Sequence, residues 1–246
     1  MAYQFASTDP YVRCAIGAFN GYTWRNSPSS GAALFKINSI GVWRGITAID
    51  TGTLVVYVDD FEMDNANHLS TWDGVSSNGT PTSVAAFTDT SNWMIVGYTW
   101  DGTLTGTPWV WRWKIGAGSW NSEAVFPGSN GVRTAAIGSG YRHVIGNEPA
   151  LNDDGRQDIV CVGKIKSNLS QATFEALTLT DIASWDAVFT GSTAWLIDFE
   201  TIGSRIDRTG NGGNEINRNN VSLVSDPAGF SWGGAEIPLP VSVPGW

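Results

Sequence analysis

Residues 93–100, Trp-Met-Ile-Val-Gly-Tyr-Thr-Trp, decide the fold class, because the stretch is short and almost wholly apolar. A run of this length, rich in aromatic and β-branched residues, is typical of a strand covered on both faces. Asp101-Gly102 follows as a turn signal, and residues 108–115 (PWVWRWKI) then form a second strand-like run. This segment therefore predicts two strands joined by a loop.

Working outward, the same kind of short apolar run recurs along the chain and is separated each time by Gly, Asn, Asp or Ser. Asp50-Thr51-Gly52 lies between two such runs and predicts a hairpin. Many short strands with Gly-rich turns and little helix indicate a sandwich or a barrel. The further predicted strands cover residues 11–19, 33–37, 45–49, 54–58, 124–126, 143–145, 158–165 and 195–199.

Helix signals are confined to residues 170–189. Ser170 is placed to cap a helix over QATFEAL, and Thr180 to cap a second helix whose apolar residues extend to Phe189. We expect one domain over residues 1–246, in which 200–246 form an extended, Pro/Gly-rich segment wrapping the surface.

The net charge of −9 argues against nucleic acid as a partner, because phosphate binding needs clustered Lys and Arg. The N-terminus lacks a basic stretch followed by an apolar one, so we expect no secretory signal. No segment approaches about 20 consecutive apolar residues, so we expect no membrane insertion.

Four segments, taken in order, resemble one family. Asn92–Asp101 (NWMIVGYTWD) is similar to a "gWhhvavtwdg" strand, and 109–116 occupies the place of its "lYvdG" partner strand. Val144–Asn147 (VIGN) is similar to "l.iGn", and Asp158–Leu177 (DIVCVGKIKSNLSQATFEAL) to "G.iaev.iwnraLsdaEi.aL". The chain thus resembles the concanavalin-A-like lectin/glucanase superfamily, in its laminin-G-like branch.

The resemblance implies two antiparallel sheets in a jelly roll, one of them concave, with sugars bound on the concave face or its rim loops. It also implies a phage or bacterial surface module. Thr173 stands where the branch has an acidic residue, and Lys114-Ile115-Gly116 replaces "YvDG", so a calcium-linked loop is not implied. The resemblance further implies that the first long strand lies beside the "iaev" strand, which would bring Cys14 near Cys161 as two thiols.

The sequence shows no recognisable catalytic set. Glucanases of this superfamily carry Glu-x-Asp-x-(x)-Glu on one strand, and that pattern is absent. Asp60, Glu62 and Asp64 alternate, but we expect them at a solvated strand end or turn. No Gly-x-Ser-x-Gly elbow occurs, and His68 falls in a polar loop. We therefore expect a protein that is not an enzyme.

Calcium is the one cofactor that the sequence suggests. Asn152, Asp153, Asp154 and Asp158 cluster oxygen ligands around Gly155, although an acidic turn is the preferred interpretation. Residues 207–214 (DRTGNGGN) could also donate oxygens, and we interpret them in the same way, because Gly and Asn there serve turn geometry first.

Tryptophans are the candidates for ligand binding, since an aromatic ring packs well against the apolar face of a sugar. Alternation in 109–115 predicts that Trp109, Trp111 and Trp113 face the core. Arg112 and Lys114 then point into the concave groove or outward. The remaining candidates lie in polar loops, where capping the sandwich ends is the alternative role: Trp24, Trp43, Trp72 and Trp120.

The sequence as a whole favours a non-enzymatic, lectin-like binding or structural module. Acidity and Gly/Thr/Asn/Trp-rich strands suit a phage virion protein, assembled in the host cytoplasm and placed on a capsid, tail or fibre. Its partners would be other virion proteins, further copies of itself, or host-surface glycans. Two alternatives are a glycan hydrolase or lyase using Asp60, Glu62 and Asp64, and a purely architectural module.

Overall fold

The computed structural model describes residues 1–5, 10–22, 27–50, 57–72, 82–103, 109–125, 136–146, 156–200 and 206–233, with the backbone alone for 57–60 and 72. Within them lie two short α-helices, α1 (Gln171–Phe174) and α2 (Ala183–Val188). The strands are β1 Ala2–Phe5, β2 Tyr11–Ala15, β3 Ser29–Ile37, β4 Arg44–Asp50, β5 Tyr57–Met63, β6 His68–Trp72, β7 Thr82–Ala86, β8 Met94–Trp100, β9 Trp109–Ile115, β10 Asn121–Val125, β11 Arg142–Gly146, β12 Gln157–Ile165, β13 Ala194–Asp198, β14 Glu215–Asn219 and β15 Val221–Val224.

The strands form two antiparallel sheets. The eight-stranded sheet has the order β10-β9-β8-β3-β12-β1-β15, with β13 also paired to β12. The seven-stranded sheet has the order β14-β2-β11-β4-β5-β6-β7. The architecture is therefore an all-β jelly-roll sandwich, as the sequence predicts.

An aromatic core fills the space between the sheets. Trp109 and Trp111 are buried, and the Trp109 ring stacks on Tyr98 at 4.4 Å between centroids. Phe61 of the seven-stranded sheet stacks on Trp111 at 5.7 Å, so the two sheets meet ring against ring. Trp113 packs against the same cluster. The expectation that the alternating tryptophans face the core is confirmed.

Both helices pack on the outer face of the eight-stranded sheet, and each contacts a glycine of that sheet through a phenylalanine. A Cβ added to Gly97 would lie 2.7 Å from Cζ of Phe174, in α1. A Cβ added to Gly163 would lie 2.4 Å from Cδ2 of Phe189, just after α2. The missing side chains let the rings approach the sheet, so the helices cover this face closely.

The predicted helix caps are half right. The Ser170 hydroxyl accepts a hydrogen bond from the Thr173 backbone N–H at 3.1 Å, as expected of an N-cap. Thr180 is not the cap of the second helix. The Asp181 carboxylate accepts the Ser184 N–H at 2.8 Å in its place.

The expected proximity of the cysteines is wrong. Cys14 lies on β2 of the seven-stranded sheet, whereas Cys161 lies on β12 of the other sheet. Cys14 points into the core between the sheets, and Cys161 packs in the separate cluster beneath the helices. Both are buried free thiols, and β1 is the strand that pairs with the first half of β12.

Three further findings bear on the sequence predictions. Residues 215–224, inside the segment expected to wrap the surface, form the edge strands β14 and β15. The predicted turn at Asp50-Thr51-Gly52 lies mostly outside the described residues. Among the described residues, no helix has the length and apolar composition needed to cross a bilayer.

An edge strand of the seven-stranded sheet is capped from the other sheet. Glu123 on β10 accepts the backbone N–H of Val84 at 2.7 Å and that of Ala85 at 3.3 Å, both on β7. Val84 itself is 83% exposed. One carboxylate thus satisfies two donors at the rim of the sandwich.

Candidate functional site

The two outer faces of the sandwich differ in chemistry. The eight-stranded sheet carries the helices and an apolar cluster that includes Leu34, Ile95 and Leu196. The seven-stranded sheet carries polar, charged and aromatic residues on its outer side. We call this surface the open face, because neither helix packs on it, and define it by Tyr11, Arg13, Trp43, Asp50, Glu62 and Ser70. Trp43 is the exposed member, whereas Asp50, Glu62 and Ser70 are buried.

A buried ion pair crosses the middle of the open face. Val12 and Cys14 point into the core, so Tyr11 and Arg13 point outward. Nη2 of Arg13 lies 3.1 Å from Oδ2 of Asp50, which is fully buried. The guanidinium carbon of Arg13 also lies 5.1 Å from the centre of the Tyr11 ring, within cation–π range. The pair holds a donor and an acceptor at fixed positions.

Glu62 lies further along the same face. Its neighbours Phe61 and Met63 are in the core, so alternation turns Glu62 outward. Glu62 pairs with Gly45 on β4 and with Ser70 on β6. The position beside it on β4 thus has no side chain, and Ser70 adds a hydroxyl on the other side. The expected solvated strand end is wrong for Glu62, which is 5% exposed inside β5.

Trp43 stands at one end of this face. It precedes Arg44, which is buried and donates from Nη1 to Sδ of Met63 at 2.8 Å. Since neighbouring side chains point to opposite sides of a strand, Trp43 points outward. Trp43 is 42% exposed. The adjoining turn is fixed by Asn67, whose Oδ1 accepts the Gly41 N–H at 2.9 Å. A partly exposed ring is thereby held on an ordered turn.

Asp64 and His68 have local roles at this end. Oδ1 of Asp64 accepts the N–H groups of Ala66 and His68, both at 2.8 Å. Nδ1 of His68 lies 3.5 Å from Oδ2 of Asp64, so the side chain adds to the same turn. For Asp64 the expected turn is confirmed, whereas His68 opens strand β6 and does not lie in a loop.

The open face spans the strands from β2 to β6. These are five neighbouring strands, so the face is about 19 Å wide at roughly 4.8 Å per strand. It combines aromatic rings with fixed donors and acceptors, which is the set of contacts that a sugar's C–H faces and hydroxyls need. Its width suits several sugar rings in a row.

The sequence-predicted ligand residues divide between the two faces. Trp43 belongs to the open face, and Trp72 is the register partner of Asp60 on β5. Trp24 lies outside the described residues. Arg112, Lys114 and Trp120 come together on the outer face of the eight-stranded sheet, because Arg112 and Lys114 alternate with the core tryptophans of β9. Arg112 and Lys114 were expected to point either into the concave groove or outward. They point outward from the eight-stranded sheet, on the side opposite the open face.

Of the predicted calcium ligands, only Asp158 lies within the described residues, and Asn152, Asp153 and Asp154 fall outside them. Oδ1 of Asp158 accepts hydrogen bonds from Asn38 Nδ2 at 2.7 Å and from Gln4 Nε2 at 3.3 Å. Burial raises the pKa of this carboxyl, and the two amides and Lys36 oppose that rise. Among the described residues no three His, Cys, Asp or Glu side chains converge as a metal site.

The second calcium candidate, residues 207–214, is a turn built around a buried carboxylate. Oδ1 of Asp207 accepts from the N–H groups of Leu196 and Thr209, and Oδ2 from that of Gly213. Gly210 and Gly212 have φ of 76° and 80°, which L side chains rarely adopt. The Asp207 oxygens are thus engaged by backbone donors, and the glycines serve turn geometry as expected.

His143 is a buried neutral side chain in the core. Its ring stacks on Trp195 at 4.0 Å between centroids and meets Phe19 edge-on at 5.3 Å. Burial, and then the nearby Lys164, hold the pKa of His143 well below its usual range. It is directly opposite Cys14 in the sheet, where burial raises the thiol pKa. Both groups are therefore held neutral, and a reactive thiolate–imidazolium pair is disfavoured here.

Sequence reasoning missed Tyr11, Arg13, Asp50 and Ser70. The signal for Arg13 was present, because Tyr-Val-Arg-Cys-Ala alternates and the charged residue must face away from the core. The pairing of Arg13 with Asp50 was not detectable. The two residues lie on different strands, with β11 between them.

Comparison with known proteins supports the fold. The sequence matches no family model, and no curated protein matches it. The structure is similar to that of a Bacteroides ovatus protein to which carbohydrate binding is ascribed, with a TM-score of 0.57 and 12% identity over 90% of this chain. This chain spans 59% of the length of that protein.

Two further solved structures match less well. One is a heptameric pentraxin of Limulus polyphemus, with a TM-score of 0.42, 12% identity, and coverage of 71% of this chain and 80% of the pentraxin. The other is a Trypanosoma rangeli sialidase, with a TM-score of 0.35, 14% identity, and coverage of 60% and 22%. The first likeness, at its low identity, shows the fold alone, which is a jelly-roll sandwich.

Proposed function

We propose that this protein is a carbohydrate-binding module and that the open face holds the glycan. The observation that carries the proposal is the contrast between the two outer faces. One face is covered by helices. The other exposes Trp43 and carries the largely buried Arg13–Asp50 pair and Glu62 on the same sheet. In this arrangement Trp43 stacks on a sugar ring, and the charged pair and Glu62 bind hydroxyl groups.

Binding without hydrolysis fits the carboxylates better than catalysis does. Glycoside hydrolysis needs two carboxyl groups flanking the bond, one of them acting as acid. Asp64 is used by its own turn, where it accepts two backbone N–H groups. The rival enzyme would depend on Glu62 and Asp60, which lie two residues apart on β5. A hydrolase or lyase using these two residues is the alternative that the assay below distinguishes.

We infer, as a finer proposal, that the module is a laminin-G-like domain carried on the surface of a phage particle. The acidic charge of −9 and the 29 glycines and 13 tryptophans are its support, together with a fold suited to display. Mass spectrometry of purified particles that contain the chain, with antibody labelling in electron micrographs, tests it. Labelling confined to host cytoplasm contradicts it. Burial of Trp43 against another subunit would favour a purely architectural role.

Binding is tested by screening neutral and acidic oligosaccharides of three to six units, followed by calorimetry on the best ligand. We expect Trp43→Ala to weaken binding about tenfold, or about 1.4 kcal/mol, since a stacking surface is lost. Ile206→Ala is the matched control, because Ile206 is 45% exposed and Trp43 42%. Glu62→Gln should also weaken binding.

Each outcome of this screen decides between the hypotheses. An absence of binding across the oligosaccharides, or a Trp43→Ala variant that binds as tightly as the parent, contradicts the proposed site. New reducing ends or unsaturated products formed during the incubation would establish the enzyme, and loss of that turnover in Glu62→Gln would locate it.

A further inference from the structure

A second polar cluster lies on the opposite side of the molecule, beside α1. Arg112 is in the middle of β9 and points outward from the eight-stranded sheet, because Trp111 and Trp113 point to the core. Its register partners are Gly97 on β8 and Ser122 on β10. Gly97 has no side chain, and Ser122 is exposed. The Phe174 ring lies over Gly97, so this ring borders Arg112 on one side and the Ser122 hydroxyl borders it on the other.

Arg112 is 7% exposed. Within the part of the chain that the structure describes, its Nε and Nη1 are buried without a hydrogen-bond partner. Nη1 lies 3.7 Å from Oε1 of Glu175, which is an ion-pair distance but too long for a hydrogen bond. Burial lowers the pKa of Arg112, and Glu175 raises it. A buried, charged donor set without acceptors is costly unless something completes it.

α1 and the turn before β10 arrange the residues around this guanidinium. Nε1 of Trp120 donates to the Glu175 backbone oxygen at 2.9 Å, and the half-buried ring meets Phe174 edge-on at 5.7 Å. Gln171 donates to Oε1 of Glu175 at 2.8 Å, so this carboxylate is shared with α1. Lys114 follows Trp113, the register partner of Asn121, which places Lys114 opposite Trp120. Two cations, a tryptophan and a hydroxyl therefore share one patch of an acidic protein.

We propose that this patch is a binding site for an acidic saccharide, whose carboxylate is held by Arg112 while its ring lies against Trp120. Glu175 occupies the position of the ligand carboxylate and swings aside when the ligand binds. A planar guanidinium pairs with both oxygens of a carboxylate, which explains an Arg at the centre. Lys114 adds charge at the rim, and Ser122 bonds a sugar hydroxyl. This site is independent of the open face.

Two residues of the patch favour a saccharide over an acidic peptide as the ligand. Trp120 offers an aromatic surface beside the Arg112 guanidinium. The Ser122 hydroxyl, on the other side of Arg112, can both donate and accept a hydrogen bond. Pyranoses carry the apolar face and hydroxyls that match them, whereas glutamate side chains offer only the charge. A glutamate-rich peptide is therefore the discriminating competitor.

The probe is trigalacturonate, and its fully methyl-esterified form is the control, because esterification removes the charge and leaves the sugar rings and hydroxyls unchanged. Calorimetry at low salt should show binding of the acid and at least roughly tenfold weaker binding of the ester, since charge-assisted hydrogen bonds are lost. Glu175→Gln should bind the acid roughly two- to fivefold more tightly, because the competing carboxylate is gone. Lys114→Gln should bind it roughly two- to fivefold more weakly.

Arg112→Gln should abolish binding, and its thermal melt is checked first because Arg112 is buried. If that variant fails to fold, the opposite shifts of Glu175→Gln and Lys114→Gln decide. Equal affinity for acid and ester, an unchanged Glu175→Gln, or equal binding of the glutamate-rich peptide would each overturn the proposal. Trp43→Ala separates the sites, because it should leave trigalacturonate binding to the Arg112 patch unchanged and weaken only the open face.

Discussion

A substitution at Gly97 tests the close packing of α1 on the eight-stranded sheet. A Cβ at Gly97 would lie 2.1 Å from the Gly31 oxygen, 2.7 Å from Cζ of Phe174 and 2.8 Å from the Ala32 Cα. Two of these atoms are backbone of β3, which pairs with β8 along seven residues. The clash cannot be relieved by rotating a side chain alone, so the strand itself must shift.

We expect Gly97→Ala to lower the free energy of unfolding by about 3 kcal/mol or more, at the upper end of the range for overpacked cores. For a chain of this size that corresponds to a fall of about 6–12 °C in Tm. Gly163→Ala should cost less, about 1–3 kcal/mol, because the atoms it meets belong to the Phe189 ring. Calorimetry and urea unfolding followed by tryptophan fluorescence measure both.

Gly140→Ala is the matched control. Among the described residues a Cβ there meets nothing within 4 Å, and its φ lies outside the left-handed region. We expect a change within about 0.5 kcal/mol. If Gly97→Ala melts at the temperature of Gly140→Ala, the close approach of α1 to the sheet is refuted. Partial recovery on adding Phe174→Leu to Gly97→Ala would attribute part of the cost to the ring.

Two further predictions concern buried titratable groups. The pKa of His143 in the folded protein lies below its usual value. Its contribution to the free energy of unfolding is therefore complete above the unfolded-state pKa of about 6.5. That contribution is lost as the pH falls below this value, by at most about 1.4 kcal/mol per pH unit. His143→Phe keeps an aromatic ring on Trp195 and should flatten the loss of Tm between pH 7 and pH 5; an unchanged slope would contradict this. Cys14 and Cys161 should resist an alkylating reagent in the native protein and both react in denaturant, since burial keeps the thiols neutral. A denatured chain that takes up no reagent without reductant would show them bonded.

The sequence predicts the architecture well where apolar residues are dense. Residues 93–100 were expected as a strand covered on both faces, and β8 is buried along its whole length. Strand β6 was missed, because His-Leu-Ser-Thr-Trp offers too few apolar residues to show a period of two. Its place in the sheet comes from pairing with β5, which a single sequence does not reveal.

The site was less predictable than the fold, for two physical reasons. Glu62 was expected at a solvated strand end or turn, although Phe61 and Met63 on either side of it mark a strand with one buried face. Strand order was not accessible either, since β2 and β12 join different sheets despite similar apolar patterns. The resemblance therefore predicted the sandwich correctly, but its prediction that Cys14 lies near Cys161 is wrong.

The carboxylate of Glu123 has a consequence for how these molecules behave when they are crowded. β7 is the last strand of its sheet, and its outermost residue, Val84, is the most solvent-accessible of the large apolar side chains described here. N–H groups presented along such a border invite a strand from another molecule to add on, and repetition of that step leads to fibres. Glu123 occupies two of those donors with a negative charge. A backbone oxygen of a second molecule would have to displace the Glu123 side chain before its strand could pair with β7. This side chain therefore opposes edge-to-edge association of the sheets.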